Sequence, residues 1–224
     1  QFIALNSNPL GQKDALIKLG DGSKYDAVHQ RYHPTIRQFL VEFGYYDIFI
    51  VEPTSGNIVY SVFKELDFAT SLMDGPYKDA GIAKAFREGK TLQEGEFYLT
   101  DFQPYLPSYN SPAGFISSPI YDNNQLIGVL IFQMPIGRIN DVMTLKGNWK
   151  NSGFGESGEI YLVGADKTLR NESRSFVEDK QAYLTLVKSV GMSAHKQMEL
   201  HDTSITLQPV NSIGVNEALR GNKG

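Results

Sequence analysis

Two stretches of this chain match each other, and the match divides it. Gly81 to Lys90 reads GIAKAFREGK, and from Gly214 the chain reads GVNEALRGNKG. Setting Gly81 over Gly214 aligns Ile82 with Val215, Ala85 with Ala218, Phe86 with Leu219 and Arg87 with Arg220, an amphipathic helical pattern with the same basic end. Ahead of each copy lies a second correspondence: SGEIYLVGADKTLRNES repeats YYDIFIVEPTSGNIVYS, with Ile160 equivalent to Ile48 and Val163 to Val51. Internal repetition of this kind points to two copies of one supersecondary unit.

The first copy can be read element by element. In RYHPTIRQFLVEF, Ile36, Phe39, Leu40 and Phe43 recur at helical spacing, and Gly44 ends the run. YYDIFIVEP and NIVYSVFKE are rich in β-branched and aromatic residues and meet across Pro53-Thr-Ser-Gly56, which predicts a hairpin. Asp74-Gly-Pro76 predicts a helix start, and three further strands follow in GEFYLTDFQ, GFISSPIYD and QLIGVLIFQM, the last two joined by Asp122-Asn-Asn124. Helix, two strands, helix, three strands make one small α+β module of roughly 100 residues.

The second copy opens with a helix in INDVMTLKG, repeats the hairpin, and gives a helix in VEDKQAYLTLVKSVG on Tyr183, Leu186, Val187 and Val190, closed by Gly191. It has no equivalent of residues 91 to 134. A half-sheet would expose an unpaired edge, so the second module is expected to be truncated by about 40 to 45 residues, and either short and poorly ordered or completed by a neighbouring chain.

Composition narrows the function. A net charge of −4 without a Lys/Arg cluster offers no basic face to displace counterions from phosphate, so no nucleic-acid partner is expected. No apolar run approaches the roughly 20 residues of a membrane helix, and QFIALNSNPL is not a signal peptide; the chain is expected to be soluble. Cysteine is absent, which excludes a disulfide framework, thiolate metal sites and cysteine nucleophiles.

Several motifs reduce to structure. GFGESG, Gly153 to Gly158, has the spacing of a dinucleotide loop, but the strand EIYLVGA follows it where a helix is needed, so a turn entering a strand is expected. Ser157 in GESGE is not a nucleophile elbow. His29 and His33 stand at i and i+4, yet HQRYH lacks the Glu of the metalloprotease motif and a third ligand; a solvated helix surface is expected, as for His195 and His201. Asn171-Glu-Ser is read as a polar turn after a strand. No catalytic group, metal site or cofactor is assigned, and the chain is not expected to be an enzyme.

GYYDIFIVEPTSGNIVYSVFKELDFATSL, TDFQPYLPSYNSPAGFISSPIYD, GVLIFQMPIGRINDVMT and above all GFGESGEIYLVGADKTLRNES resemble the extracytoplasmic sensor region of bacterial transmembrane receptors with a double Cache, or tandem PAS-like, domain. Methyl-accepting chemotaxis proteins are the most similar; histidine kinases and nucleotide cyclases use related input domains. The resemblance covers about residues 35 to 224. It implies an α+β fold of two PAS-like modules with antiparallel sheets: a helical stalk at 1–43, a membrane-distal module at 44–135 and an incomplete membrane-proximal module at 136–224. It also implies a periplasmic location, membrane attachment through segments outside this chain, homodimerisation through the N-terminal helix, and a small-molecule ligand of unknown class in the first module. The alternative is a ligand-free dimerisation or protein-docking module of a histidine kinase or cyclase.

Phe97 to Pro119 combines prolines and aromatics with Asp101, Ser108, Asn110 and Ser117, the composition of a rigid loop over a binding site. By the two-residue strand period Tyr60 and Lys64 share a side and offer a hydroxyl and a cation. Asp101 would meet an amine, Tyr105 and Tyr109 would wall the pocket, and Ser117 would donate from the next strand. Amino-acid-sensing relatives carry an Arg followed closely by Trp and Tyr; only Trp149 is present, far downstream, so an amino acid ligand is not supported.

Overall fold

The computed structural model describes residues 2–9 and 11–223. The chain forms two compact units. The first comprises Gln1–Asp101, Tyr105–Tyr109 and Ala113–Pro135, the second Phe102–Pro104, Asn110–Pro112 and Ile136–Gly224.

In the first unit, helix α1 spans Lys24–Phe43. The Ser23 side chain caps its start by accepting from the Asp26 N–H, and Gly44 ends it in the left-handed region at φ 72°. The helix thus begins directly after the Gly20-Asp-Gly22 break and runs through Pro34, which stands at an internal position of the helix with its ring exposed. Strands β1 (Asp47–Val51) and β2 (Ile58–Ser61) form the expected hairpin. Helix α2 spans Gly81–Gly89, so Asp74-Gly-Pro76 lies in turns ahead of the helix instead of starting it. Strand β3 (Tyr98–Leu99) is followed by a loop carrying a short ribbon, Gln103–Tyr105 with Ser111–Ala113. Strands β4 (Phe115–Asp122) and β5 (Gln125–Gln133) close the unit. Their turn places Asn123 and Asn124 both at positive φ, 48° and 64°, as a two-residue hairpin turn requires.

The sheet order is β2-β1-β5-β4-β3, antiparallel throughout, so the α+β class is observed. One face packs Phe49, Val51, Ile58, Phe115, Val129 and Ile131 against Ile82, Ala85 and Phe86 of α2. The other packs Ile48, Tyr60 and Val62 against Leu40 and Ile36 of α1. Ile58 and Tyr60 are two apart yet face opposite ways. Val51 pairs with Ile58 and Ile50 with Tyr60, so Val59 is an extra residue that turns the alternation over. α2 lies flush on its face because Gly89 has no side chain: a Cβ there would come 2.6 Å from Ser117 Oγ and 3.1 Å from Val129 Cγ1.

The second unit holds α3 (Ile136–Met143), α4 (Arg174–Glu178), α5 (Lys180–Ser189), α6 (His195–His201) and α7 (Ile213–Leu219). Phe176, Tyr183, Val187 and Met198 form its apolar core. α2 and α7 confirm that both repeat copies are helical. The repeated hairpin behaves differently. Among described residues 136–223 no strand forms; the repeated segment folds back with isolated bridges, Val163 to Leu169 and Thr168 to Pro209. Backbone bonds still join its two arms, from the Gly164 N–H to the Thr168 carbonyl at 3.0 Å and from the Arg170 N–H to the Leu162 carbonyl at 2.8 Å. Side chains add to them: Asn171 Oδ1 accepts the Leu162 N–H at 2.6 Å, and the Arg170 guanidinium donates to the Thr168 carbonyl at 3.0 Å. A lone two-stranded ribbon is marginal in water. Asn171, expected in a polar turn after a strand, is fully buried. GFGESG begins in a π-helical turn, Lys150–Phe154, and continues as the expected turn through Gly155 to Ser157, but the stretch it enters is not a strand.

Candidate functional site

The six residues singled out from sequence do not converge. Tyr60 and Lys64 lie on the α1 side of the sheet: Tyr60 donates to His33 Nδ1 at 2.7 Å, and Lys64 Nζ sits 5.6 Å from the Tyr60 ring while donating to the carbonyls of Ser61 and Val62. Tyr105 and Ser117 lie on the α2 side, where Ser117 Oγ donates to the Ala85 carbonyl at 2.7 Å and so fastens β4 to α2. Asp101 is exposed, and Tyr109, at φ 57°, is 66% exposed at the loop tip. A single pocket between Tyr60 and Tyr105 therefore does not form, because the sheet separates them; the bulge at Val59 sends Tyr60 to the opposite face from Ile58.

What the α2 side does assemble is a buried acidic network. Asp47 opens β1, and Glu65 and Asp67 follow β2. Asp47 Oδ1 accepts the N–H groups of Ile48, Val62 and Phe63, and its Oδ2 accepts from Ser61 Oγ at 2.7 Å. Asp67 Oδ2 accepts from the Tyr105 hydroxyl. Glu65 accepts from Tyr46 at 3.2 Å and from Ser108 at 3.3 Å, and Ser108 in turn accepts from Gln133 Nε2 at 3.0 Å. Two acceptors in this network are buried without a partner, Asp67 Oδ1 and Gln133 Oε1.

Burial raises all three carboxyls. Asp47 is pushed up to about 8, with the neighbouring Asp67 charge adding to the desolvation. Glu65 is pushed up to about 7 for the same two reasons. Asp67 rises to about 6, held back by the Tyr105 hydroxyl and backbone donors. Tyr105 itself is raised by burial and by the Asp67 charge, so it stays a hydrogen-bond donor. Asp47 is thus largely protonated near neutral pH, and the donors missing from the network are those of Asp67 Oδ1 and Gln133 Oε1.

The α1 side carries a second polar group that sequence reading misjudged. His29 and His33 are not a solvated pair; they are 3% and 0% exposed and stack at 4.2 Å, facing the sheet. His33 Nε2 lies 2.7 Å from the Asp14 carbonyl and His29 Nδ1 2.8 Å from the Ile17 carbonyl, so both rings hold the N-terminal segment against α1. Arg37 pairs with Asp14 at 2.8 Å, and Asp26 accepts from the Leu19 and Gly20 N–H groups. Among the described residues no group of three or more His, Cys, Asp or Glu is arranged to hold a metal ion, and no helix is long and apolar enough to cross a membrane.

In the second unit the most buried charge is Arg174. It stacks 5.0 Å from the Trp149 ring, donates to the Gly155 and Gly158 carbonyls at 3.1 and 2.7 Å, and pairs with Glu178 at 2.8 Å. It locks the GFGESG turn in place.

No protein-family model matches the chain, and no curated protein matches it. Solved structures do. The ligand-binding domain of the Pseudomonas aeruginosa PAO1 amino acid chemoreceptor PctC, solved with GABA, is 15% identical with a TM-score of 0.43, over 70% of this chain and 60% of that one. The ligand-binding domain of the Pseudomonas fluorescens chemoreceptor CtaA, solved with L-isoleucine, is 10% identical with a TM-score of 0.42, over 66% of this chain and 53% of that one. The sensor domain of the V. cholerae histidine kinase DctB is 18% identical with a TM-score of 0.37, over 61% and 46%. The chain thus spans about half to three fifths of the solved domains it is similar to.

Proposed function

We propose that this chain is a small-molecule input module from the extracytoplasmic part of a membrane receptor, and that residues 44–135 hold the ligand on the α2 side of the sheet. The observation that carries the reading is the acidic network with two buried, unpartnered acceptors, Asp67 Oδ1 and Gln133 Oε1. A buried acceptor without a donor costs about 1 to 3 kcal/mol, and a donor-bearing ligand would relieve that cost. A small ammonium fits best: it brings three N–H donors, and its charge would favour the ionised form of carboxyls that burial by itself holds largely protonated near neutral pH. The face is closely packed, so binding would select an arrangement in which α2 or the loop over Tyr105 stands off the sheet; that difference between states is what a receptor transmits. Residues 136–224 would form the second module, and the output would lie in segments outside this chain.

The test is thermal shift of the purified chain against small primary amines and against alcohols and carboxylates of the same size. Amines should stabilise the wild type, and Asp67→Asn should abolish the response; stabilisation by carboxylates alone, or an unchanged response in Asp67→Asn, rejects the reading.

A second reading, self-association through α1, is favoured by one observation. Phe39 and Phe43 lie on its surface with ring centroids 4.4 Å apart and are 40% and 52% exposed. Sedimentation of wild type and Phe43→Glu decides it, a dimer lost in the variant being the supporting result.

A further inference from the structure

On the α1 side of the sheet, away from the acidic network, a groove of about 360 Å³ runs between α1 and β2. Tyr25, Val28 and Tyr32 of α1 form one wall, Ile50 and Val59 the other, and His29 and Tyr60 line it deeper in. Its lining is almost wholly apolar, which suits a small aromatic molecule. Polar groups around it are mostly engaged: the Tyr25 hydroxyl donates to the Val59 carbonyl at 3.0 Å, and the Tyr60 hydroxyl to His33.

His29 is the exception. Its Nδ1 lies 2.8 Å from the Ile17 carbonyl, and a carbonyl can only accept, so Nδ1 carries the proton. In the neutral ring Nε2 is then a lone-pair acceptor, and it is buried without a partner. Burial, together with the Lys64 charge, lowers the His29 pKa and favours that neutral form. The ring is also set in an aromatic surround, 4.7 Å from Phe2, 6.1 Å from Tyr25 and 6.0 Å from Tyr60.

We infer that this groove is a second ligand site, taking a neutral aromatic molecule with one N–H or O–H donor, a phenol or an indole, whose donor reaches His29 Nε2. The donor is a requirement of the tautomer: an aromatic carboxylate or an ether brings another acceptor to an atom that is already one. The site stands on the opposite face of the sheet from the ammonium site and does not depend on it.

The probes are phenol and indole, each paired with its donor-blocked counterpart, anisole and 1-methylindole, with binding followed by thermal shift and by titration calorimetry. Phenol and indole should bind about tenfold more tightly than their methylated partners, the worth of one neutral hydrogen bond. His29→Phe should erase that preference. Val28→Trp, at a position 56% exposed, should fill the groove and abolish binding without touching the core. Asp67→Asn should leave phenol binding unchanged. Equal affinity within each pair, no binding by phenol or indole, or binding that survives Val28→Trp overturns the inference. So does a wild-type dimer that Val28→Trp disrupts, since the groove would then belong to a second copy of the chain.

Discussion

Gly89 lies where α2 comes close to the sheet, and its hydrogen side chain leaves room for the Ser117 Oγ to Ala85 carbonyl bond beside it. Gly89→Ala should therefore destabilise the first unit by about 1 to 3 kcal/mol through overpacking, measured as a lower urea midpoint. Adding Ser117→Ala should recover part of that loss, because the closest atom to the new methyl is removed; strict additivity would show that the contact is not what matters. Arg174 plays the matching part in the second unit. Arg174→Ala should cost about 2 to 4 kcal/mol, since charge-assisted bonds to two carbonyls disappear together with the stacking on Trp149. Loss of the second unit's transition with the first unit's unchanged would confirm that the effect stays within its unit. Neither role was legible beforehand. Gly89 is the last residue of α2, where a glycine reads as no more than a helix end, and Ser117 was read as a ligand donor because nothing in a strand sequence says how near the next helix lies.

Among the elements, α1 is the one in which local preference and tertiary context disagree. Pro34 removes a backbone donor in the helix interior, and its ring is exposed. Pro34→Ala should stabilise the first unit by about 1 to 3 kcal/mol in urea unfolding; a loss would mean that the packed helix needs the bend. Strands β1, β2, β4 and β5 and helices α2, α5 and α7 were legible from periodicity, turn residues and repetition. The face assignment of Tyr60 was not, because a bulge changes the two-residue alternation without any mark in the local sequence. The second hairpin failed for a different reason. Its pattern suits a strand, and its arms keep two backbone bonds and a bridge, but a ladder extends only against further strands, and none lies beside it.

For the molecule as a whole the buried titratable groups set a pH profile. Asp47 and Glu65 are raised on folding, to about 8 and 7, so the folded state binds more protons than the unfolded state and their contribution is lost as pH rises through those values. His33 is lowered to about 3 by burial and the nearby Lys64 charge, and His29 is lowered too; their contribution is lost as pH falls below the unfolded value near 6.5. Lys64, lowered to about 8 by burial, acts only at the alkaline end. Asp67, raised to about 6, acts in the same direction as the other carboxyls, so stability should rise as pH drops from 7.5 to 6.5 and level off below that, where histidine protonation in the unfolded chain offsets the protons held by the folded carboxyls. Asp47→Asn should flatten the alkaline side of that profile in thermal melts; a Tm that climbs steadily from pH 6 to 7.5 in the wild type would show that the carboxyls are not raised. By itself the sequence determined the α+β class, the repeat and most element positions, because these follow from near-neighbour spacing of apolar and turn residues. Only the tertiary structure decided that Asp47, Glu65 and Asp67 share one buried face, that His29 and His33 turn inward, and that Tyr60 and Tyr105 are kept apart. Those outcomes depend on a bulge, on strand order and on which helix covers which face, and each is a long-range packing result in which desolvation and contact outweigh what any local stretch prefers.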